Sequence, residues 1–176
     1  VSKGMAKGME IIGKKFECKE VYLSELMMAG EVMREGMEIV KPYIKPDAVK
    51  AIGKVILGTV RGDLHDIGKN IVAKLLEAAG FEVIDLGVDV PAEAFIEEVR
   101  KSNAKIVGMS ALLTLTMHEM DNVIKELEKA GLRKDVKVVI GGAPITPEYA
   151  QKIGADYAAN DAVDGVDKCK AWAAIS

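Results

Sequence analysis

The stretch VILGTVRGDLHDIGKNIVAKLLEAA, residues 55–79, decides the fold. Its first six residues form a continuous apolar run, which is typical of a strand buried on both faces. A periodic apolar segment over about 67–79 is typical of an amphipathic helix. A short polar loop joins the two. This strand–loop–helix unit predicts a parallel sheet whose strands are connected by crossover helices.

The same alternation continues to the end of the chain. We predict further strands at 82–86, 106–109, 136–140 and 155–159, and further helices at 91–102, 116–130, 147–153 and 162–174. Five buried strands alternating with helices predict an α/β fold, namely a Rossmann-like (flavodoxin-like), doubly wound, five-stranded parallel sheet. Such sheets bind ligands outside the carboxyl ends of their strands. The candidate site therefore comprises the loops 61–68, 110–116, 141–146 and 160–161.

The first 46 residues carry a helical pattern without a strand signal. Apolar residues recur at helical spacing in two runs, which are Met5, Met9, Ile12 and Phe16, then Leu23, Leu26, Met27, Met33, Met37 and Val40. Six of the nine methionines lie here, which indicates either a flexibly packed bundle core or an adaptable covering surface. We expect a helical-bundle cap over 1–46, a linker over 47–53 and the sheet domain over 54–176.

Composition excludes several classes of partner. Lys and Arg number 24 and Asp and Glu 27, for a net charge of −3, and aromatic residues make up only 5%. We therefore expect no nucleic-acid partner. No apolar run approaches the roughly 18 residues that span a bilayer, and no signal peptide opens the chain, so no membrane partner is expected. Cys18 and Cys169 form no CxxC pair, which favours reduced thiols and a cytoplasmic location.

The loop GDLHDIGKN, residues 62–70, lacks the patterns of common phosphate and metal sites. A P-loop needs four residues between its glycines and a Ser or Thr after its Lys, whereas Gly62 and Gly68 enclose five residues and Asn70 follows Lys69. The dinucleotide pattern GxGxxG is absent. The chain holds only two histidines, which excludes a metal-dependent phosphohydrolase or any other site with several His ligands.

Asp63 and His65 form the chemically distinctive pair in this loop. A carboxylate two residues before an imidazole can accept its Nδ1–H, which leaves Nε2 available for a metal or a proton. One His cannot hold a metal ion alone, so the ion would have to arrive already chelated, as in a tetrapyrrole-like macrocycle. A solvated, hydrogen-bonded loop pair is the alternative interpretation. His118 is expected in the first turn of an exposed helix, without a role.

The loops after the third and fourth strands favour a ligand site. Paired glycines, Gly141 and Gly142, let a flat or bulky ligand approach the backbone closely. Thr114 and Thr116 add hydroxyl groups beside them. A Ser/His/Asp hydrolase with Ser110 or Thr116 as nucleophile is an alternative, but neither a GxSxG motif nor an evident oxyanion hole is present.

Together these motifs resemble those of the cobalamin (corrinoid) binding proteins of methyl transfer, including the cobalamin-binding module of methionine synthase. That family combines the motifs DxHxxG, SxL and GG. Here Asp63 to Gly68 match DxHxxG, and 41 residues separate them from Ser110-Ala111-Leu112. A further 28 residues precede Gly141-Gly142. Three motifs at two matching spacings are a specific signal, whereas DxHxxG alone would be weak.

The resemblance implies a cofactor and a set of site residues. The cofactor is cobalamin or a related cobamide, bound with its own base displaced (base-off) and with His65 as the lower axial ligand of cobalt (His-on). Asp63 would hydrogen-bond His65, and Thr116, where methionine synthase has Ser, would extend this relay. Ser110, Leu112, Thr114, Gly141 and Gly142 would line the slot for the displaced nucleotide tail, with Asn160 and Asp161 near its base. The remaining expected contacts in the His65 loop are Gly62, Leu64, Asp66, Ile67 and Gly68.

The resemblance also implies a helical cap that shields the upper, methyl-bearing face of the cofactor. Phe16, Leu23 and Leu26 match the shielding positions, although ordinary bundle core is an equally good interpretation of them. The family's cap has about four helices, so residues 1–46 resemble its later portion and a truncated cap is expected.

As a function, the resemblance implies a corrinoid carrier rather than a complete enzyme. It would take a methyl group from a substrate-specific methyltransferase and pass it to a second methyltransferase that loads tetrahydrofolate or a thiol such as coenzyme M. A reductive activase is a further expected partner. The alternatives are an adenosylcobalamin-dependent mutase subunit and a cobalamin-sensing regulatory domain. The Met-rich cap favours methyl transfer over the mutase subunit. The net charge of −3 and the lack of a recognisable DNA-binding or other output module in the sequence argue against the regulator.

Overall fold

A computed structural model describes residues 4–40 and 51–174 of the chain. The described elements, in chain order, are α1 (Met5–Glu17), α2 (Leu23–Val40), β1 (Lys54–Thr59), α3 (Ile67–Ala78), β2 (Glu82–Asp85), α4 (Ala92–Ser102), β3 (Ile106–Ser110), α5 (Met117–Lys129), β4 (Lys137–Gly141), α6 (Pro147–Ile153), β5 (Tyr157–Ala159) and α7 (Ala162–Ala173). None of these helices is long and apolar enough to cross a membrane. Residues 41–50, which include the end of the predicted cap and the start of the predicted linker, lie outside the described residues, and the domain boundaries remain a prediction.

The five strands form one parallel sheet in the order β2-β1-β3-β4-β5. This confirms the predicted doubly wound, Rossmann-like architecture. The chain moves outward from β1 to β2 and then returns to the other side of β1 to form β3. The point where the strand order reverses therefore lies between β1 and β3, and loops diverge there to leave a crevice at the carboxyl edge. That crevice lies between the DxHxxG and SxL segments.

Each face of the sheet buries its own apolar layer. Alternate residues of a strand point to opposite faces, so Ile56 packs with α4 and α5 while Val55 and Leu57 pack with α3 and α7. The side chains of Phe95 and Leu127 are fully buried in the first layer, and that of Leu76 in the second. Helices therefore cover both faces, as the continuous apolar strands predicted.

The element boundaries differ from the sequence prediction by a few residues. The largest difference is in β5, predicted from residue 155 but observed only from Tyr157. Ala155 is drawn away from the sheet because its N–H donates to the carbonyl of Ala150 at 2.9 Å, which closes the end of α6. The carboxylate of Asp156 accepts the N–H of Val138 at 2.8 Å, so a side chain replaces a ladder hydrogen bond there.

The two cap helices pack on the outside of the layer formed by α3 and α7. Helices α1 and α2 contact each other, and α2 contacts α3. Their approach is close because Gly30 of α2 faces Ala78 of α3, where a Cβ on the glycine would lie 3.3 Å from the alanine Cβ. Leu26 is buried in this contact, at 8% exposure. The N-terminal helical cap is thus a third layer on one face of the sheet domain.

Candidate functional site

The loops after β1, β3 and β4 meet at the carboxyl edge of the sheet. Backbone hydrogen bonds continue past the ends of the strands and tie these loops together: the N–H of Val60 donates to the carbonyl of Ser110 at 3.0 Å, and that of Ala111 donates to the carbonyl of Gly141 at 3.1 Å. The three motifs recognised in the sequence, separated by 41 and 28 residues, therefore lie side by side.

Asp63 is the centre of this arrangement, with a fully buried side chain. Its Oδ1 accepts hydrogen bonds from Nδ1 of His65 at 2.7 Å and from the N–H of the same residue at 3.1 Å. Its Oδ2 accepts from Oγ1 of Thr116 at 2.7 Å and from the N–H groups of Leu112 at 2.8 Å and Leu113 at 3.1 Å. Five donors thus converge on one carboxylate.

These donors determine the charge of Asp63. Burial alone would raise the pKa of its carboxyl group, but hydrogen bonds from Thr116, His65 and Leu113 outweigh burial and hold this pKa well below its ordinary value. Asp63 is therefore ionised at neutral pH and can only accept hydrogen bonds. Because the carboxylate accepts, Nδ1 of His65 carries the proton.

His65 is held in place but keeps one ring nitrogen accessible. The buried hydroxyl of Thr59 donates to the carbonyl of His65 at 2.9 Å, and Asp63 holds the ring through Nδ1. The side chain is 50% exposed, and no residue that the structure describes hydrogen-bonds Nε2. Within the described ranges no group of three or more His, Cys, Asp or Glu residues could hold a bare metal ion.

A deep slot opens beside this loop, between the sheet and helices α3 and α7. Its volume is about 470 Å³ and its walls are largely apolar, with Val72 and Leu76 from α3 and Gly165 and Cys169 from α7. The residues expected at a ligand site that do line it are Gly68, Ser110, Gly141, Gly142, Asn160 and Asp161. The buried thiol of Cys169 lies against the slot, where burial raises its pKa to about 12.

The two adjacent glycines contribute in different ways. Gly142 has φ +137°, and a Cβ there would lie 1.8 Å from the carbonyl oxygen of Ala111, so only glycine allows the β3–α5 loop to approach this closely. A Cβ on Gly141 would meet its nearest neighbour, Ala159, at 4.0 Å. Gly142 thus permits the packing of two loops, whereas Gly141 leaves space in the slot.

Leu112 and Thr114 are expected to line the slot, and the structure places both elsewhere on the β3–α5 loop. Both side chains are exposed and neither lies among the lining residues. The N–H groups of Leu112 and Leu113 turn toward Asp63, which directs this part of the loop toward His65 rather than toward the slot. Contact of these residues with a ligand above His65 remains a prediction.

Other residues of the DxHxxG loop surround His65 at the surface. Leu64 and Ile67 are 71% and 76% exposed. The β3–α5 loop, which meets this loop at Asp63, carries further exposed apolar side chains. We call the exposed set the apolar rim, which consists of Leu64, Ile67, Leu112, Leu113 and Leu115. Asp66 precedes α3 and accepts a hydrogen bond from Nδ2 of Asn70 at 3.0 Å. Exposed apolar side chains on the loops that carry a half-exposed imidazole are typical of a surface that a ligand covers.

The structure does not bring Phe16, Leu23 and Leu26 to this edge. All three pack with the apolar layer of α3 and α7. Phe16 and Leu26 border a small cavity of about 80 Å³ with Leu75 and Val166. The expectation that they cover the site is therefore not met in this arrangement, because they bury apolar surface against the outer faces of these helices. His118 is exposed, with Nδ1 2.7 Å from the carbonyl of Leu115.

Sequence reasoning missed two acidic residues near the site. Lys69, considered only as a failed P-loop lysine, has a buried side chain whose Nζ lies 2.5 Å from Oδ2 of Asp85 at the end of β2. Asp89, in the loop after β2, accepts the N–H of Gly62 at 2.7 Å. The available signal was the position of the two aspartates, since Asp85 ends β2 and Asp89 follows it, and β2 lies next to β1, so both reach the same edge of the sheet.

The sequence was compared with models of protein families and with the sequences of known proteins. A family model described as a B12 binding domain matches residues 53–167, and a second model with the same description matches residues 1–41. Trimethylamine corrinoid protein 1 of Methanosarcina acetivorans is 42% identical over 173 residues, which is 97% of this chain and 80% of that protein. Dimethylamine corrinoid protein 1 of the same organism is 45% identical over 171 residues, with the same coverage.

Solved structures agree with this assignment. A cobalamin-binding protein from Desulfitobacterium hafniense is 42% identical, with a TM-score of 0.77 over 95% of this chain and 79% of that one. A chain of the methanol:cobalamin methyltransferase complex MtaBC from Methanosarcina barkeri is 30% identical, with a TM-score of 0.90 over 99% of this chain and 67% of that one. The chain therefore belongs to the family of B12-binding corrinoid proteins of methyltransferase systems.

Proposed function

We propose that this protein is a corrinoid methyl carrier that binds a cobamide base-off, with His65 as the lower axial ligand of cobalt. The observation that carries the proposal is the pairing of Nδ1 of His65 with buried Asp63, which leaves Nε2 of a half-exposed ring without a hydrogen-bond partner among the described residues. A slot lies on the same edge of the sheet and is lined by Gly68 and Lys69 of the segment that follows His65. In metal-binding proteins a carboxylate behind the imidazole fixes the tautomer and raises the basicity of the ligating nitrogen. Thr116 keeps that carboxylate in place.

The slot fits the part of a base-off cobamide that must leave the cobalt. It is about 470 Å³ in volume, in the size range of cavities that enclose small organic ligands. Its apolar walls suit an aromatic base, while Ser110, Asn160 and Asp161 supply polar groups along it. Gly141 leaves room for the tail. When bound, the cobamide would supply the cobalt that carries the methyl group.

The protein's own residues would then orient and protect that group. Asp63 and Thr116 hold His65 in one tautomer, and the exposed residues of the apolar rim would offer apolar contacts to the bound cobamide. We further propose that Phe16, Leu23 and Leu26 shield the opposite face, which requires the cap over 1–46 to leave its contact with α3 and α7 as a unit separate from the sheet domain, 54–176. Exclusion of water would protect the reactive centre.

The partners are proposed from the relatives. One solved relative is part of a methanol:cobalamin methyltransferase complex, and others are named trimethylamine and dimethylamine corrinoid proteins. A substrate-specific methyltransferase would load the carrier, and a second methyltransferase would unload it to tetrahydrofolate or a thiol such as coenzyme M. A reductive activase would restore inactive cofactor. A methylamine is the donor class these names favour.

Reconstitution tests the proposal. The apo-protein is mixed with hydroxocobalamin, free cofactor is removed, and the visible spectrum is recorded for wild type, His65→Ala and His118→Ala. We expect one cobalamin per chain in all three proteins, because the slot rather than His65 provides most of the contact area. The band that reports histidine ligation should be absent only from His65→Ala. Retention without any spectral difference between wild type and His65→Ala would refute the axial role of His65.

A further inference from the structure

The loop between β2 and α4 contacts the His65 loop through one unusual residue, Asp89. Its φ is +54°, and only Lys19 and Asn103 share a positive φ among the non-glycine residues that the structure describes. Aspartate and asparagine tolerate this left-handed conformation better than most residues. A left-handed residue beside a functional loop suggests that the conformation serves to aim its polar groups.

Asp89 bonds to both residues at the start of the DxHxxG loop. Its N–H donates to the carbonyl of Asp63 at 3.0 Å, and its Oδ1 accepts the N–H of Gly62 at 2.7 Å. Gly62 is itself left-handed, with φ +78°, and its N–H and the carbonyl of Asp63 face the same neighbour. One residue thus holds the two peptide groups that flank the Gly62–Asp63 peptide, immediately upstream of His65.

The backbone around Asp89 is fixed in turn by β1. The N–H of Thr59 donates to the carbonyl of Gly87, and the N–H of Val90 donates to the carbonyl of Thr59, both at 3.0 Å. The hydroxyl of this same Thr59 reaches the carbonyl of His65. The end of β1, the β2–α4 loop and the His65 loop therefore form one hydrogen-bonded unit, with Asp89 on its exposed side.

We propose that Asp89 is a positioning residue for the axial ligand, an inference that rests on the proposed function. By holding the peptides of Gly62 and Asp63, it fixes the point from which the buried carboxylate reaches Nδ1 of His65, and so the direction of Nε2. Its side chain is exposed and lies outside the slot, so Asp89 acts on the ligand through the loop rather than by contact with the cobamide.

A series of substitutions separates the contribution of the carboxylate from that of the left-handed backbone. Asp89→Gly keeps the conformation and the N–H but removes the acceptor for Gly62. Asp89→Asn keeps both the conformation and an Oδ1 acceptor. Asn103→Gly is the matched control, because Asn103 is also left-handed but follows α4 at the opposite edge of the sheet. Each variant is loaded with hydroxocobalamin and reduced to the cobalt(II) state, and the ratio of His-on to His-off cofactor is measured by electron paramagnetic resonance.

We expect Asp89→Gly to lower this ratio about fivefold, which corresponds to the loss of one hydrogen bond. Asp89→Asn should stay within about twofold of wild type, and Asn103→Gly should not change the ratio. In the apo-proteins, Asp89→Gly alone should speed hydrogen exchange at the amide of Gly62, a readout that does not depend on the cofactor.

The outcomes distinguish this inference from the proposed function. A His65-dependent signal that persists unchanged in Asp89→Gly would refute the positioning role alone. So would an equal loss in Asp89→Asn and Asp89→Gly, since the asparagine retains the acceptor, or an equal loss in Asn103→Gly. If wild type itself lacked a His65-dependent signal, both the proposed function and this inference would be wrong.

Discussion

Gly142→Ala is the substitution whose effect follows most directly from the backbone of the site. The added Cβ would lie 1.8 Å from the carbonyl oxygen of Ala111 and 2.8 Å from its carbonyl carbon, where ordinary contact requires 3.4–4 Å. Because both contacts are backbone atoms, no rotamer change relieves the clash. The β3–α5 loop would have to move by roughly 1.5 Å away from the end of β4.

Two effects contribute to the expected loss in the free energy of unfolding, namely backbone strain at residue 142 and displacement of the loop. A residue other than glycine at φ +137° is strained by about 1–3 kcal/mol, and displacement of a packed loop adds about 1–3 kcal/mol. We therefore expect Gly142→Ala to lower the free energy of unfolding by about 2–6 kcal/mol. Gly131→Ala separates the two costs, because Gly131 has φ +73° with nothing within 4 Å of its added Cβ, so the strain of about 1–2 kcal/mol acts alone.

Urea denaturation of the apo-proteins measures these differences, and retention of hydroxocobalamin measures the consequence for the slot. The displaced loop carries Leu112 and Leu113, whose N–H groups bond to Asp63, so Gly142→Ala should weaken cobamide retention as well as stability. Gly141→Ala, whose Cβ meets nothing closer than 4.0 Å, should change stability by less than about 1 kcal/mol. A Gly142→Ala protein no less stable than Gly131→Ala would refute the steric reasoning.

Three further predictions concern single groups at the site. Asp63→Asn should lower the free energy of unfolding by about 2 kcal/mol at pH 7. The pKa of Asp63 is lower in the folded than in the unfolded protein, so the carboxylate stabilises the fold at pH values above its ordinary pKa. Urea denaturation should therefore show the stability difference between wild type and Asp63→Asn shrinking as the pH falls below about 4. A gap that stays constant down to pH 2 would contradict this. Gly141→Leu should fold as an apo-protein yet retain no hydroxocobalamin on gel filtration, because the leucine side chain would enter the slot. Stoichiometric retention would mean that the nucleotide tail of the cofactor binds elsewhere. Ellman's reagent at pH 8 should react with Cys18 alone in the native apo-protein and with Cys169 only in urea. The reason is that Cys169 is buried, with its pKa raised to about 12. Two fast-reacting thiols in the native protein would contradict the closed packing of α7.

The fold was predictable from the sequence because its signals are local. The apolar run at β1 and the helical periodicity of α3 follow from neighbouring residues alone. Their alternation then restricts the topology to a parallel sheet. The meeting of Asp63, Ser110 and Gly141 was predictable for the same reason, since each follows a strand of that sheet. Short elements were less certain: β5 lost its first two predicted residues to hydrogen bonds made by Ala155 and Asp156.

What the sequence did not predict depends on contacts between distant segments. Leu112 was expected to line the slot, but its loop follows hydrogen bonds to Asp63, 49 residues earlier in the chain. Asp89 reaches Gly62 across 27 residues, and nothing in the local pattern of either segment specifies that pairing. The face on which the cap packs is likewise a tertiary property, since the apolar stripe containing Leu26 could bury itself against any complementary surface.

Labelling histidine with ¹⁵N tests directly whether a nitrogen of His65 binds the cobalt of the cobamide. The protein is produced with ¹⁵N-histidine, loaded with hydroxocobalamin and reduced to the cobalt(II) state for electron paramagnetic resonance. A histidine nitrogen bound to cobalt splits each cobalt line into a triplet when it is ¹⁴N and a doublet when it is ¹⁵N. If His65 is the axial ligand, a triplet is observed that becomes a doublet on labelling and is absent from His65→Ala. A triplet that survives labelling would mean that the cofactor keeps its own base on the cobalt, and the account of this site would be wrong.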